Sequence, residues 1–233
     1  MDELAKVLAS EIAMKIKNAA ASERKLSIAL SGGSTPKLLF SVLAGLYSET
    51  IKWDDVHFYW GDERCVPPYD QESNYGEAKK ILFDRINIPG KNIHRIMGEN
   101  EPSAEAIRYS LEVRNGLDQK NGWPVFDLMI LGMGEDGHIA SIFPGLEDLF
   151  NSDKICEVAV HPVSGQNRIT ITGKVINNSG RIIFLVSGKN KAGILSAIMG
   201  EDQSKLYPAS LVKPTWGKIS WYIDREAGGN LLE

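Results

Sequence analysis

The chain has 233 residues, of which 43% are hydrophobic and 24% are charged, and its formal net charge is −4. This size and composition are typical of a globular protein with a large core, in one α/β domain or two small ones. Lysine and arginine are scattered instead of forming a basic stripe, and no apolar run approaches the ~20 residues that span a bilayer. We therefore expect neither a nucleic-acid partner nor a membrane partner.

The cysteines and the first residues indicate the cellular compartment. Cys65 and Cys156 lie far apart and form no metal-ligand pattern with the four histidines. Two free thiols are typical of a reducing environment. The chain begins with acidic residues and lacks the apolar core of a signal peptide. These features predict a cytoplasmic protein without a metal site.

Apolar periodicity predicts alternating helices and strands in the first half of the chain. An amphipathic helix extends to about Ala20. The next predicted elements are strand Leu26–Leu30, a helix from Thr35-Pro36 to Leu46, strand Val56–Trp60, a helix from Ser73 or Asn74 to Leu82, a short strand Ile93–Met97, helix Ala104–Leu117 and strand Phe126–Leu131. Thr35 is expected to cap its helix, with Pro36 in the first turn.

The second half repeats this alternation. Its predicted elements are strand Arg168–Thr172, strand Arg181–Val186, a helix from about Lys191 to Met199 and strand Lys218–Ile223. Such a pattern predicts an α/β fold, with a mostly parallel sheet and helices on both faces in a modified Rossmann-like three-layer sandwich. Because no linker rich in Pro, Gly or Ser interrupts the chain, residues 1–233 are predicted to form a single domain.

The first candidate loop, Ser31-Gly32-Gly33-Ser34-Thr35-Pro36, connects a strand to a helix. Its small residues allow backbone N–H groups to approach a ligand, and the positive end of the helix dipole points to the same place. This combination predicts an anion site suited to a phosphate. The loop is not a Walker loop, since no Gly-Lys-Ser/Thr follows at the required spacing. The alternative is a tight, well-capped turn.

The second candidate loop, Asp62-Glu63-Arg64, follows the next strand. Its charges suit sugar hydroxyls, and Arg64 can bind a planar oxyanion through two parallel hydrogen bonds. A solvated surface turn is the alternative. Two further cations, Arg168 at the start of a strand and Lys191 at the start of a helix, are candidates for the same phosphate, or else surface charges.

The third candidate loop contains His138. Residues 132–137 formally match the dinucleotide fingerprint G-x-G-x-x-G, but Pro144-Gly145 ends the following helix within two turns, whereas the fingerprint requires a long crossover helix. Histidine is the natural proton-transfer group near neutral pH, and Asp136 stands two residues before it. A structural turn whose histidine caps a short helix is the alternative. Ser141 is not expected to be a nucleophile, because the chain has no G-x-S-x-G elbow.

Taken together, these motifs resemble those of the 6-phosphogluconolactonases, and the likeness covers nearly the whole chain. The most specific pieces are Asp62-Glu63-Arg64 with Val66-Pro67, Ser73-Asn74-Tyr75, residues 134–145 and Arg168–Thr172. The glucosamine-6-phosphate deaminases share that fold, but their pattern has a Glu at the position of Phe143 and usually an aromatic residue at that of Arg64. One departure from the lactonases is Ser164-Gly165-Gln166-Asn167, where a Lys-Pro-Pro-like stretch is common.

The resemblance implies hydrolysis of 6-phospho-D-glucono-1,5-lactone to 6-phosphogluconate in the oxidative pentose phosphate pathway, without a cofactor. It implies that His138 is the general base and acid, oriented by Asp136 or Asp62. The implied substrate-binding residues are Gly32, Gly33, Ser34, Thr35, Arg64, Gly137, Arg168 and Lys191. The alternatives are a deaminase or isomerase and a sugar-phosphate-binding regulator without turnover. A monomer or a small homo-oligomer is expected.

Overall fold

Helices and strands alternate along the part of the chain that the computed structural model describes, which is residues 2–200 and 207–232. The helices are α1 (Asp2–Ala21), α2 (Ser34–Tyr47), α3 (Asn74–Ile81), α4 (Pro102–Gly116), α5 (Gly173–Asn177), α6 (Ala192–Met199) and α7 (Arg225–Gly228). The strands are β1 (Leu26–Leu30), β2 (Val56–Trp60), β3 (Asp62–Arg64), β4 (Gln119–Lys120), β5 (Trp123–Pro124), β6 (Leu128–Leu131), β7 (Cys156–Val160), β8 (Asn167–Ile171), β9 (Arg181–Val186) and β10 (Lys218–Ile223).

The central sheet of the described residues has the order β10-β9-β6-β1-β2, and all its strands are parallel. Every residue of β1 and β6 is buried, as expected where helices cover both faces of a sheet. This confirms the predicted fold class. The chain continues from β1 to its neighbour β2 on one side, whereas β6 lies on the other side of β1. The loops after β1 and β6 therefore border a crevice at the carboxyl edge.

A second sheet, with the order β3-β8-β7, is antiparallel and meets the central sheet at Gly61. The N–H of Gly61 donates to Leu30 at the end of β1, while its carbonyl accepts the N–H of Ile171 in β8. The hydroxyl of Tyr109 bonds both the N–H and the carbonyl of Trp60, at 2.8 and 3.0 Å. The chain thus passes from one sheet to the other with its backbone polar groups satisfied, and it carries β3 to the carboxyl edge.

Two local predictions are wrong. Ile93–Met97 is not a strand, since Ile93 forms only an isolated bridge with Phe58, and the N–H of Met97 donates to the buried carboxylate of Glu105 instead of to a neighbouring strand. Thr35 does not cap α2, which begins one residue earlier with Gly33 at the cap position. Pro36 does lie in the first turn of α2, as predicted.

The segment after His138 also differs from the prediction of a short helix. It forms a tight turn, with the N–H of Ile142 donating to the carbonyl of Ile139, and a 3₁₀ helix begins only at Glu147. Strand β7 and the β4–β5 hairpin were not predicted. Helix α4 begins two residues early, at Pro102, because the Glu101 carboxylate accepts the first free N–H groups of the helix.

Most of the buried apolar side chains of the described residues belong to one continuous cluster, and a single domain over residues 1–233 stays a prediction. None of the helices that the structure describes is both long enough and apolar enough to cross a membrane.

A network of titratable side chains lies between β2 and α4, remote from the carboxyl edge. His57 Nδ1 lies 2.9 Å from His94 Nε2, and His94 Nδ1 lies 2.9 Å from a carboxylate oxygen of Glu112. The ring of Tyr59 stacks on His94 with 4.2 Å between centroids. Burial, reinforced by the neighbouring His94, lowers the pKa of His57 to about 4.

This lowered pKa predicts a loss of stability in acid. Unfolded His57 binds a proton below about pH 6.5, whereas folded His57 does so only near pH 4, so the free energy of unfolding should fall as the pH drops between these values. We expect His57→Gln to reduce this pH dependence, measured by urea unfolding at pH 7 and pH 5. An equal fall in both proteins would contradict the assignment.

Candidate active site

A cavity of about 450 Å³ opens at the carboxyl edge of the central sheet, next to the β1–β6 crevice. Its volume is within the range of small-molecule sites. Loops after β1, β6 and β9 line it, together with strands β3 and β8 and the starts of α2 and α3. The predicted site residues that line the cavity are Gly32, Gly33, Ser34, Thr35, Asp62, Arg64, His138, Arg168 and Lys191. Three separate loops and two isolated cations therefore meet at one place.

His138 lines this cavity and forms a hydrogen-bonded pair with Asp136, which does not itself line it. The carboxylate of Asp136 accepts a hydrogen bond from His138 Nδ1 at 2.6 Å and another from the His138 backbone N–H at 3.1 Å. Burial by itself raises the pKa of Asp136, but the charge of His138 and these hydrogen bonds outweigh it and hold the pKa below its usual value. Because Nδ1 is the donor to Asp136, Nε2 is the imidazole atom with a free lone pair.

Gly134 is required beside this pair. A Cβ at position 134 would lie 2.1 Å from His138 Nδ1 and 2.4 Å from Asp136 Oδ1, so a side chain there would displace the imidazole. The N–H of Gly134 also donates to the His138 carbonyl at 2.9 Å, which closes the turn. The glycine pattern that formally matched a dinucleotide fingerprint thus makes room for a hydrogen-bonded histidine.

The imidazole of His138 also packs against an apolar ring, that of Phe143. The ring of Phe143 is buried, and its centroid lies 4.7 Å from that of the imidazole. Phe143 also makes an edge contact with His161, with 5.0 Å between centroids, and lies under the guanidinium of Arg168. No carboxylate therefore occupies the position at which the deaminase pattern has its Glu.

Arg64 and Arg168 form a pair of cations on the second sheet. They are direct partners in the β3–β8 register, so their side chains lie on the same face. Burial, followed by the charge of Arg64, lowers the pKa of Arg168. Arg64 Nε is buried and has no hydrogen-bond partner among the described residues. Two adjacent guanidinium groups with a donor left over are suited to an oxyanion.

The loop that departs from the lactonase pattern supports this pair. Gln166 accepts a hydrogen bond from Arg168 Nε at 3.2 Å and donates to Glu72 at 2.8 Å. The backbone carbonyl of Glu72 in turn accepts a hydrogen bond from Arg64 at 2.5 Å. The Ser164–Asn167 stretch therefore connects the two arginines through one amide side chain.

The start of α2 provides a second set of donors. Gly33 has φ +107°, a conformation that favours glycine, and no side chain caps α2 within the described part of the chain. Its first-turn N–H groups are thus available to an anion, contrary to the capped-turn alternative. The Thr35 hydroxyl lies 2.7 Å from that of Ser187, which joins this loop to the β9 loop and Lys191. Burial lowers the pKa of Lys191.

Asp62 also faces the cavity, but it does not contact the imidazole. Its Oδ2 accepts a hydrogen bond from the Ser141 hydroxyl at 2.7 Å. Ser141 is fully buried, and its hydroxyl is occupied by this bond. Of the two carboxylates expected to orient His138, Asp136 is the one in contact.

Gly137 does not line the cavity, in contrast to its expected role in substrate binding. It has φ +79°, its carbonyl accepts the N–H of Ala209, and a Cβ there would lie 2.9 Å from Tyr207. The position requires glycine because the chain around Tyr207 packs closely against it.

Sequence reasoning missed several lining residues. Those that carry polar side chains are Asn74, Ser187 and Asn190, whereas Ser31 was named only as part of the first candidate loop. Asn190 donates to the Glu135 carboxylate at 2.5 Å and so joins the β9 loop to the His138 loop. The signal for Ser187 and Asn190 was present, since they follow a buried parallel strand in the same way as the other candidate loops.

The fold and the cavity define a Rossmann-like α/β protein with a ligand site at the switch point of its parallel sheet. Residues 1–221 match the family model of glucosamine-6-phosphate isomerases and 6-phosphogluconolactonases. A 6-phosphogluconolactonase of Haemophilus influenzae is 51% identical over 202 residues, which are 86% of this chain and 85% of that protein. The chain therefore belongs to this family, and the resemblance found in its motifs is confirmed.

Solved structures agree with this assignment. The 6-phosphogluconolactonase of Trypanosoma brucei superposes with a TM-score of 0.87 at 27% identity, covering 99% of this chain and 95% of that one. A monomeric glucosamine-6-phosphate deaminase superposes with a TM-score of 0.82 at 24% identity, covering 97% and 95%. The second similarity concerns the fold alone.

The arginine pair predicts anion binding that is measurable without a substrate. We expect inorganic phosphate to bind in the cavity and Arg168→Gln to weaken this binding at least about tenfold, because a charge-assisted hydrogen bond is lost. Isothermal titration calorimetry measures the affinity. Arg85→Gln, which changes an exposed arginine outside the cavity, is the matched control. Equal affinities of Arg168→Gln and the wild type would remove Arg168 from the anion site.

Proposed function

We propose that this chain hydrolyses 6-phospho-D-glucono-1,5-lactone to 6-phosphogluconate. The observation that carries the proposal is one cavity lined by His138, whose imidazole is hydrogen-bonded to Asp136, and by the cations Arg64, Arg168 and Lys191. A phosphorylated lactone needs both features, namely a base for water at its carbonyl and an anion site for its phosphate. The close relationship to 6-phosphogluconolactonases supports the same reaction.

In the proposed reaction, His138 Nε2 takes a proton from a water molecule as the water oxygen attacks C1 of the lactone. The resulting tetrahedral intermediate carries a negative charge, which backbone N–H groups of the glycine loops would stabilise. The C1–ring oxygen bond then breaks, and the imidazolium returns its proton to the departing ring oxygen. Asp136 stays ionised and stabilises the imidazolium, as the carboxylate of a carboxylate–histidine pair does.

The phosphate supplies binding energy at a distance from the reacting carbonyl. We propose that the first turn of α2 at Ser34 and Thr35, together with Arg168 and Lys191, holds the phosphate, and that Arg64 positions the ring. Such contacts restrict the lactone to one orientation, so that C1 faces His138. Asp62, fixed by Ser141, is suited to accept hydrogen bonds from sugar hydroxyls.

Other features of the protein stay predictions. We propose a cytoplasmic location and a monomer or small homo-oligomer without nucleic-acid or membrane partners. The free thiols of Cys65 and Cys156 support a reducing compartment.

A coupled assay with freshly generated lactone, corrected for spontaneous opening, tests the reaction. We expect faster formation of 6-phosphogluconate with the protein and no ammonia from glucosamine 6-phosphate, since apolar Phe143 flanks the imidazole. Steady release of ammonia would favour the deaminase. Binding of the sugar phosphate without turnover would favour the regulator.

In the same assay, His138→Gln should lower kcat about 10²–10⁴-fold, the usual contribution of a general acid–base group. The dissociation constant of 6-phosphogluconate should change little, because the cations are untouched. His57→Gln changes a histidine that does not line the cavity, and it should leave kcat unaltered. A His138→Gln protein with wild-type kcat would contradict the proposed role.

A further inference from the structure

A second carboxylate of β3, Glu63, makes a dense set of hydrogen bonds outside the cavity. The residue is 1% exposed and does not line the cavity, although both its neighbours in the strand do. Its Oε1 accepts the backbone N–H groups of Arg64 and Asn74, both at 2.8 Å. Its Oε2 accepts the N–H of Tyr75 at 2.8 Å and the hydroxyl of Ser73 at 3.1 Å. The carboxylate thus uses both oxygens twice.

These bonds attach the start of α3 to β3. The N–H groups of Asn74 and Tyr75 belong to the first turn of α3, which has no acceptors of its own for them. A carboxylate at this end of a helix also interacts favourably with the helix dipole. Ser73 completes the arrangement, since its hydroxyl donates to Glu63 and accepts the N–H of Gly76.

The attached helix start carries a side chain into the cavity. Asn74 is 6% exposed and lines the cavity. Its Nδ2 donates to the backbone carbonyl of Asp62 at 3.0 Å. Its Oδ1 lies so close to Gly32 that a Cβ there would be 1.9 Å away. One amide therefore spans the gap between the anion loop after β1 and the strand that carries Arg64.

We propose that Glu63 is a positioning residue for substrate binding. It holds the amide of Asn74 between Gly32 and Asp62 and so sets the separation of the anion loop from Arg64. This inference rests on the proposed lactonase function. It assigns the glutamate of the Asp-Glu-Arg motif a role in affinity and not in the chemical step.

The chemistry of the carboxylate makes this role specific. Glutamine has nearly the same shape, but its NH₂ group would replace one of the two accepting oxygens. That group would then face two other donors, so two of the four hydrogen bonds would be lost. His138 and Asp136 lie on another loop, and none of the contacts of Glu63 involves them. The Asp62 carboxylate is fixed separately by Ser141. The proton-transfer groups should therefore keep their geometry.

The test is steady-state kinetics of Glu63→Gln with the lactone. We expect KM to rise about tenfold while kcat stays within about threefold of the wild type. Glu105→Gln is the control for loss of a buried carboxylate, because Glu105 is equally buried, accepts the Met97 N–H at 2.7 Å, the Asn100 amide at 2.9 Å and two hydrogen bonds from Arg108, and does not line the cavity. The Glu105→Gln protein should be less stable than the wild type but have the same KM.

A second variant keeps the test decisive if Glu63→Gln does not fold. Asn74→Ala removes the amide itself and should raise KM to a similar extent. Where both variants fold, the KM of the double variant should be little higher than that of the single variant with the higher KM, because both changes act through the same amide. A wild-type KM in Asn74→Ala or Glu63→Gln, an equal rise in Glu105→Gln, or additive effects would overturn the proposal.

Calorimetry with 6-phosphogluconate separates this inference from the proposed function. If the wild-type protein binds 6-phosphogluconate but does not hydrolyse the lactone, the proposed function fails. The positioning role is then decided by affinity alone. A dissociation constant raised about tenfold in Glu63→Gln or Asn74→Ala, but not in Glu105→Gln, would support it. Unchanged constants in the Glu63 and Asn74 variants would refute it.

Discussion

The site depends on one geometric constraint, which is that all strands of the central sheet end at the same edge. In a parallel sheet the loops after the strands converge, and the order β10-β9-β6-β1-β2 opens a crevice between the β1 and β6 loops. The loop at residues 31–36, which is the candidate anion site, and the loop that contains His138 lie on the two sides of this crevice. Residues that are more than a hundred positions apart in the chain therefore line one cavity.

The second sheet brings charged side chains to the cavity. Gly61 bonds β1 through its N–H and β8 through its carbonyl, so both of its backbone polar groups are satisfied where the chain passes from one sheet to the other. Strand β3 then presents Asp62 and Arg64 to the cavity, and its partner β8 presents Arg168. The result is an uneven distribution of charge. The carboxylate-paired imidazole can move protons, while the arginines and the α2 terminus can hold an anion.

The strands that the sequence predicted best are those buried on both faces or paired along their full length. Strands β1, β2, β9 and β10 have the predicted bounds, because short apolar runs between turn residues identify them. Strand β3 consists of three charged residues, a composition that predicted a loop. Its pairing with β8 is a long-range contact that no local pattern reveals. The false strand at Ile93–Met97 has a related cause, since the side chain of Glu105, from the helix that follows, takes the Met97 N–H in place of a neighbouring strand.

The candidate site was predictable in its parts but not in its contacts. Polar residues after buried strands identified His138, Arg64 and the anion loop. The sequence left open which carboxylate contacts His138. In the structure Asp136 lies 2.6 Å from the imidazole, whereas Asp62 is bonded to Ser141. It also assigned Gly137 to substrate binding, whereas Gly137 packs against Tyr207. Such distinctions depend on side-chain neighbours from other elements.

A crystal structure of the complex with 6-phosphogluconate would show whether the two ends of the product occupy the two proposed parts of the cavity. We expect one bound product, with its phosphate within hydrogen-bonding distance of Arg168 and the first turn of α2, and its C1 carboxylate beside His138 Nε2. A product bound in the reverse orientation, with the phosphate at His138, would refute this arrangement. A product bound outside the cavity would do the same.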